Sequence, residues 1–406
     1  MEKKKADPAM FEDSIEILSD LIKIESPYFQ EDKIMDHVSG WLTKAGIQNK
    51  IQEYHEAKVT DFKGKNVYCI LDGGRPGPTI YLNGHLDTVL LCNGWKHDPY
   101  GAEIENGNIY GLGALDMKGG CAAIMSAIKA FNDDHKKFNG KIIASFVSDE
   151  EGPYGLGTDA VIASGLTDNV DVSIVTEPSA GFSKGKFPNI CLGARGGYGI
   201  VMEFYGKSAH AANPHLGVNA AVEAGKMMAS LKDIKFKKDK YLGEGCICVV
   251  SVESDGGACS VPDYAKVKLF RHIIPGETKA TIIQELEDVI KNAGVSCKYK
   301  ISFRDAPSEG TEAFLPYTIP EDNEYVKLFK DSCKDVTGED ASITYFQSIG
   351  DFNYLGTRIN APCIIFGTEG ENYHSNDEYT TLDSLTKTSA ILYDYLERLL
   401  LSSDFS

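Results

Sequence analysis

The sequence has no apolar run of about 18 residues, the length that a membrane-spanning helix requires. Its first residues, MEKKKADPAMFEDS, include lysines but no apolar segment after them, whereas a secretory signal needs such a segment. We therefore expect neither a membrane span nor a secretory signal.

Basic residues are scarce relative to acidic ones. The chain has 41 lysines and arginines against 59 aspartates and glutamates, a net charge of −18. This charge disfavours nucleic acid and anionic lipid as partners, because both are polyanions. The one basic run, at 235–240, is interpreted as a solvated loop. We ascribe the acidity of the chain to solubility.

The ten cysteines form no C-x-x-C pair and no compact framework. Most lie among apolar residues, as in VYCIL and PCII, where a free thiol behaves as a small hydrophobe. We interpret them as buried, inert thiols of a protein in a reducing compartment. A cytoplasmic location is therefore expected.

At 406 residues the chain is long for one core, so two domains are expected. Segments with the spacing of amphipathic helices alternate with apolar strand patterns. The helices are predicted at 8–25, 34–42 and 118–131, and the strands at 66–71, 79–82, 141–147 and 172–175. Such alternation indicates an α/β fold with a mixed sheet that helices cover on both faces.

The pattern changes at about residue 194. From there the predicted order is strand, helix, strand, strand, helix, strand, which is the βαββαβ order of a ferredoxin-like unit. The glycine-rich segment GARGG precedes this unit, and APSEG follows it before the α/β pattern resumes. We predict a catalytic domain in two parts, 1–193 and 307–406, and an inserted domain at 194–306.

Histidine and acidic residues recur just after the apolar strands or at the start of loops. They are His85 with Asp87, Asp116, Asp149 with Glu150 and Glu151, Glu177, and His374. Ligands of open α/β sheets bind at the carboxyl ends of strands, so these side chains can converge. Singly, each has a plainer interpretation, such as a helix cap for Asp116, a turn residue for Glu177 or a solvated acidic loop at 149–151. Five such positions in one domain favour a shared site.

The residue types suit a divalent metal. Two histidines and three carboxylates with no nearby cysteine favour zinc, manganese or cobalt. Five ligands exceed the three that one catalytic zinc takes, but they suffice for two ions that share a bridging carboxylate. Asp116 can bridge, which leaves one histidine and one glutamate for each ion. Asp87 lies two residues after His85 in an extended segment, where it can accept the other ring N–H of that imidazole.

The doubled Glu150-Glu151 fits the same centre. Neighbouring side chains diverge, so one of them can bind metal while the other takes a proton from a metal-held water. Because a metal lowers the pKa of bound water toward about 7, this arrangement suits hydrolysis at neutral pH.

Five motifs, GHLDTV, GALDMKGG, SDEEG, TEPS and SAHAANPHLGVNA, together resemble the dinuclear zinc amidohydrolase and exopeptidase family. That family includes acetylornithine deacetylase, succinyl-diaminopimelate desuccinylase, aminoacylase, glutamate carboxypeptidase and related dipeptidases. The match covers nearly the whole chain. It implies a catalytic domain with an inserted lid or dimerisation domain, and a homodimer formed through that insertion.

The resemblance also implies how the residues divide. One ion is held by His85, Asp116 and Glu177, and the other by Asp116, Glu151 and His374. Glu150 is the general base that later protonates the leaving amine, and Asp87 orients His85. A cis peptide between Asp116 and Met117 is a further family feature.

Two residues of the insertion match substrate-binding positions of the family. His210 in KSAHA matches the histidine that polarises the scissile carbonyl, and Arg271 in LFRHIIPGE matches the arginine that binds a substrate carboxylate. From the residues alone, His210 can equally lie in a surface turn, and Arg271 can be a solvent-facing strand residue.

Three departures from the family pattern lie in substrate-binding parts. Residues 256–262 read GGACSVP, where members commonly carry an asparagine; Phe270 replaces an aspartate before Arg271; and 367–370 read GTEG, where Gly-Pro-Gly is common. These departures spare the predicted metal ligands and leave the substrate open.

We therefore predict an enzyme that hydrolyses the amide bond of an N-acyl amino acid through a water that bridges two divalent ions. Zinc is the expected metal, with cobalt or manganese as alternatives. A dipeptidase or carboxypeptidase acting on unblocked short peptides is the second hypothesis. A metal-binding scaffold without catalysis is the third, and the presence of every expected ligand and of the base disfavours it.

Overall fold

The computed structural model describes residues 6–183 and 185–402. Residues 1–5, on which the expectation of no secretory signal partly rests, lie outside the described residues. The chain divides into two compact units. The main unit runs to Ala194 and continues in Thr318–Phe346 and from Gly350 onward, and the insertion comprises Arg195–Tyr317 with Gln347–Ile349.

A mixed sheet forms the main unit. Its strands lie in the order Asn49–Glu56, Phe62–Asp72, Phe138–Val147, Gly74–His85, Val172–Val175, Cys363–Ile365 and Asn189–Ala194, and Ser342–Phe346 pairs with the last of these. Gly74–His85 is parallel to both of its neighbours, whereas Asn49–Glu56 and Phe62–Asp72 pair antiparallel. The predicted mixed α/β fold is thus confirmed.

The central strands are buried on both faces. All residues of Val172–Val175 and of Asn189–Ala194 are buried, and successive strand residues point to opposite faces. The helices of the main unit are Asp13–Ile22, Asp32–Lys44, Gly119–Asp134, Leu156–Ala163, Ser179–Ser183, Glu324–Thr337, Phe352–Arg358 and Leu382–Leu401.

The sheet register brings three strand ends to one place. His85 pairs with Val147 across parallel strands, and Asn83 pairs with Val175 on the other side. The residues just beyond these ends are therefore neighbours, since parallel strands finish at the same edge of a sheet.

A small antiparallel sheet carries the loop that contains His374. Its strands are Gly370–Glu371, Tyr379–Thr381, Asn108–Tyr110 and Ile104–Glu105, in that order. The register opposes Tyr379 to Tyr110, so the loop between 371 and 379 is anchored beside the segment that leads to Asp116.

The insertion is a four-stranded antiparallel sheet with two helices. The strand order is Cys246–Glu253, Tyr264–Ile273, Gly196–Tyr205 and Lys298–Phe303, and the helices are Ala220–Ser230 and Lys279–Asn292. Apolar residues of the sheet and of both helices form one core. The predicted βαββαβ order is confirmed. Part of the basic run interpreted as a loop is instead a short strand, Lys238–Asp239, paired with Gly243–Glu244.

All ten cysteines lie within the described residues and are free thiols. Five are buried, but Cys92, Cys246, Cys248 and Cys259 are exposed. The prediction of buried thiols is wrong for these four, because they lie on loops or on the strand at one edge of the insertion sheet.

Within the part of the chain that the structure describes, no helix has both the length and the apolar character needed to cross a bilayer.

Candidate metal centre

His85 ends its strand with a fully buried imidazole. Its Nε2 atom lies 3.3 Å from Oδ1 of Asp116, 3.5 Å from Oε1 of Glu177 and 3.9 Å from Oε2 of Glu150. Its Nδ1 atom lies 3.0 Å from the backbone carbonyl of Asp87. A proton on Nδ1 satisfies that carbonyl and leaves Nε2 as the nitrogen that faces the carboxylates.

Asp116 lies between the two predicted histidine ligands. Its Oδ1 atom is 3.3 Å from Nε2 of His85, and its Oδ2 atom is 3.3 Å from Nε2 of His374. The peptide bond to Met117 is cis, as the family resemblance implies. One carboxylate therefore presents a separate oxygen to each histidine, which is the geometry of a bridging ligand.

His374 also meets Glu151, with 3.0 Å between Nε2 and the glutamate carboxylate. The His374 side chain is about half exposed, at 49%, whereas Glu151 is 7% exposed. Of the residues at the centre, His374 is therefore the one that solvent reaches most easily, while its partner Glu151 is largely buried.

Glu150 and Glu177 both approach His85. Together with His85 they form one group of possible metal-binding side chains, and His85, Asp116 and Glu151 form another. The Oε1 atom of Glu150 accepts the backbone N–H of Asp351 at 3.1 Å. Because Glu150 and Glu151 both lie at the centre, the division between base and metal ligand stays a prediction.

Asp87 differs from expectation in its contacts. We predicted that its carboxylate orients His85, but the closest contact of the ring is the Asp87 carbonyl, with the carboxylate 3.6 Å away. The Oδ2 atom instead accepts the backbone N–H of Glu151 at 2.8 Å. The Asp87 carboxylate thus lies beside both His85 and the backbone of Glu151, and its role in orienting His85 stays a prediction.

Burial has the largest effect on the pKa values of the three glutamates at the centre. It raises the pKa of Glu150 and of Glu177 well above the usual range, and it raises the pKa of Glu151 to about 7. Burial would also raise the pKa of Asp116, but hydrogen bonds from His374 and His85 outweigh it and lower that pKa. Hydrogen bonds to Asp116 and Glu151 raise the pKa of His374 to about 11. A positive charge beside Glu150, Glu151 and Glu177 would lower their pKa values again.

One buried oxygen of a predicted ligand, Oε2 of Glu177, has no hydrogen-bond partner among the described residues. A buried carboxylate oxygen without a partner is costly unless a cation neutralises it. The donors here are imidazole nitrogens and carboxylate oxygens, which suit a hard or borderline divalent ion. The residues present therefore fit a metal centre.

Three buried acidic residues around the centre were missed from the sequence. Glu31 accepts the backbone N–H of Asp149 at 3.0 Å, and the backbone N–H of Asp351 donates to Glu150. The third residue, Glu378, accepts the backbone N–H of Asp116. None of the three follows a predicted strand. Glu378 lies four residues beyond the predicted ligand His374, in the segment ENYHSNDEY.

His210 belongs to the insertion and is exposed. Its Nδ1 atom accepts the backbone N–H of Ala212 at 3.1 Å. The neutral ring therefore carries its proton on Nε2, where it can donate to a carbonyl oxygen. The predicted role of His210 toward substrate stays a prediction.

Arg271 is almost fully buried within the insertion, at 1% exposure. Its guanidinium donates to Glu285 at 3.0 Å, to Glu277 at 2.7 Å and to the backbone carbonyl of His272. Phe236 packs against it, with 4.4 Å between the guanidinium carbon and the ring centre. This placement does not favour the predicted contact with a substrate carboxylate, which stays a prediction.

We expect Arg271→Met to destabilise the insertion by about 3 kcal/mol or more, because it leaves two carboxylates without their cation. Chemical denaturation of the variant and of the wild type measures this loss. A raised KM at unchanged stability would instead support the predicted substrate contact.

The model of Peptidase family M20/M25/M40 matches residues 81–398. A succinyl-diaminopimelate desuccinylase of Orientia tsutsugamushi (strain Ikeda) is 25% identical over 395 residues, which cover 96% of this chain and 97% of the relative. Both similarities extend over the insertion as well as over the main unit.

Solved structures show the same fold. A tripeptidase from Staphylococcus aureus superposes with a TM-score of 0.78 at 21% identity, covering 96% of this chain and 98% of the other. A dinuclear metal-binding peptidase of the M20 family from Bacillus subtilis gives a TM-score of 0.72 at 14% identity, with 97% and 99% covered. At these identities the likeness concerns the fold.

Proposed function

Because the chain belongs to peptidase family M20/M25/M40, we propose that it hydrolyses the amide bond of an N-acyl amino acid, as a deacetylase, desuccinylase or aminoacylase does. As a member of that family it is a metal-dependent amidohydrolase. The observation that carries the proposal is the carboxylate of Asp116, which offers one oxygen to His85 and the other to His374 at 3.3 Å each.

We assign the metal ligands as two sets that share Asp116. His85, Asp116 and Glu177 would hold one ion, and Asp116, Glu151 and His374 would hold the other. Zinc suits these donors, with cobalt and manganese as alternatives. Two such ions, when bound, supply Lewis-acid activation of water and of the substrate carbonyl.

Glu150 is assigned the proton transfer. Its Oε1 atom is held by the N–H of Asp351, and its Oε2 atom is the one on the side of His85, 3.9 Å from Nε2. This place beside His85 suits a group that takes a proton from water and returns it to the leaving nitrogen. For His210 we propose an N–H donor role toward the scissile carbonyl.

A substrate panel tests the proposal. The metal-stripped protein, with zinc, cobalt or manganese restored, is assayed on N-acetyl and N-succinyl amino acids and on unblocked dipeptides. We expect hydrolysis of one or more N-acyl amino acids that depends on restored metal. Faster hydrolysis of dipeptides would favour the peptidase alternative, and no hydrolysis by protein that binds two ions would contradict the proposal.

We also propose a homodimer formed through the insertion. Cys246–Glu253 lies at one edge of the insertion sheet and exposes Val249, Val250 and Val252. An apolar strand edge with unpaired backbone groups invites pairing with a second copy.

A separate proposal concerns the location of the protein. The free thiols support a reducing compartment, and we propose the cytoplasm.

We expect sedimentation at micromolar concentration to give twice the chain mass of 44.3 kDa. Val250→Lys should shift the protein toward monomer, because a charge on the strand edge opposes pairing. Tyr299→Lys, on the strand at the opposite edge, serves as the matched control. A wild-type protein that sediments only as monomer would rule out the dimer.

A further inference from the structure

Glu378 holds the turn that carries Asp116. Its carboxylate is buried, at 1% exposure. The Oε1 atom accepts the backbone N–H groups of Leu115 and Asp116, each at 2.9 Å, and Oε2 accepts that of Gly113 at 2.8 Å. The backbone carbonyl of Glu378 accepts a fourth N–H, from Gly111, at 3.0 Å.

The turn cannot satisfy these N–H groups by itself. Gly113 has a φ of +77°, and Asp116 has φ −113° and ψ 94°, so the backbone leaves helical geometry within Ala114–Lys118. Regular intrahelical hydrogen bonds are therefore not available to the start of the turn. Its N–H groups converge on one point, where an anionic acceptor fits.

Nothing but a carboxylate serves all three donors well. Each oxygen of Glu378 accepts at least one N–H, so neither can become a donor without a clash. A glutamine has the same shape, but its NH₂ group would face either Gly113 or the Leu115–Asp116 pair. Losing these bonds would leave buried N–H groups unpaired, which is costly.

Glu378 lies on the same loop as His374, and its side chain binds the turn that carries Asp116. It lies four residues after His374, on the loop between Gly370–Glu371 and Tyr379–Thr381. The neighbouring Asp377 accepts the N–H groups of Lys96 and His97, at 2.8 and 3.1 Å, and so fixes a different loop. Within this segment it is the Glu378 side chain that accepts the backbone N–H groups of the turn that carries Asp116.

We propose that Glu378 is a positioning residue, which holds the turn at 113–116 so that the two oxygens of Asp116 face His85 and His374. This inference rests on the proposed metal ligands. It predicts that Glu378 acts on metal binding through Asp116, without touching metal or substrate. Changes in groups that orient metal ligands typically cost about 10- to 100-fold in metal affinity.

The test compares Glu378→Gln with Asp377→Ala in the full-length protein. Zinc binding to the metal-stripped proteins is measured by calorimetry, and the visible absorption of the cobalt-loaded proteins reports the ligand geometry. We expect Glu378→Gln to bind zinc about 10- to 100-fold more weakly and to show an altered cobalt spectrum. We expect Asp377→Ala, which loses the same kind of bond to another loop, to resemble the wild type in both.

Circular dichroism of the stripped proteins separates loss of fold from loss of positioning. If Glu378→Gln does not fold, Glu378→Asp is measured in the same way, because it keeps the charge but withdraws the carboxylate from the turn. Wild-type zinc affinity and cobalt spectrum in whichever variant folds would overturn the inference. Weakened zinc binding in a protein that hydrolyses no amide would uphold the inference and contradict the proposed function instead.

Discussion

Glu150→Gln is expected to lower turnover by at least about 100-fold while the protein still binds two metal ions. The amide cannot take a proton from water, but it keeps the shape of the side chain and can still accept the N–H of Asp351. That N–H lies 3.1 Å from Oε1 in the wild type. Steady-state kinetics and metal analysis of the same preparation measure both quantities.

Glu397→Gln is the matched control for this substitution. Glu397, on the C-terminal helix, is also largely buried, at 11% exposure. Its carboxylate lies 3.0 Å from Nε2 of His135. We expect this variant to keep wild-type turnover. Full activity in Glu150→Gln would remove Glu150 from the proton transfer. Loss of metal from Glu150→Gln would make Glu150 a ligand rather than the base.

Asp116→Asn is expected to reduce activity by about 10³-fold and to bring bound metal below two ions per chain. The two oxygens of Asp116 face different histidines, and an amide replaces one of them by an NH₂ group that cannot bind metal. Losing one shared ligand thus disturbs both proposed ions. Several kcal/mol of transition-state stabilisation depend on them, which corresponds to this loss of rate.

Asp394→Asn controls for the removal of a buried carboxylate. Asp394 is 3% exposed and pairs with Arg398 four residues later on the C-terminal helix. We expect this variant to lose some stability and to keep its metal content. Two ions per chain in Asp116→Asn would show that Asp116 does not bridge.

The sequence predicted those site residues whose place follows from sheet geometry. His85, Glu150 and Glu177 follow strands that the register aligns, so their convergence needed only the rule that parallel strands end at one edge. Asp116 and His374 follow no such rule. They were predicted from their residue type at the start of loops, and the family resemblance implied them as ligands.

The residues that bind the backbone around the centre could not be predicted from hydrophobic periodicity or from motifs. Glu31 and Asp351 come from distant segments and act through backbone N–H groups, which carry no residue-type signal. Asp87 was predicted beside His85, but the bond between its carboxylate and the N–H of Glu151 was not. Hydrogen bonds to the main chain depend on the relative positions of loops in the folded protein, and hydrophobic periodicity does not predict these positions.

Element prediction succeeded where burial makes the pattern strong. Val172–Val175 is buried on both faces and was predicted with the same bounds. Asn49–Glu56 was missed because it is an edge strand whose residues are all exposed or only partly buried, so its alternation is weak. The predicted helix at 8–25 is divided into a 3-10 turn at Pro8–Phe11 and a helix at Asp13–Ile22.

Arg271 shows the limit of motif matching. The motif around it fits the family, and its strand position allowed a solvent-facing side chain as the alternative. The structure shows a third arrangement, a buried guanidinium between Glu277 and Glu285. A buried arginine needs carboxylate partners, and the sequence separation of these partners gave no sign of the pairing.

Zinc titration of the metal-stripped protein shows whether hydrolysis depends on two ions that share Asp116. Bound metal and hydrolysis of the best N-acyl amino acid are followed together as zinc is added. We expect no activity without metal and a maximum at two ions per chain. Full activity in the stripped protein, or a maximum with no more than one ion bound, would contradict a centre of two ions that share Asp116.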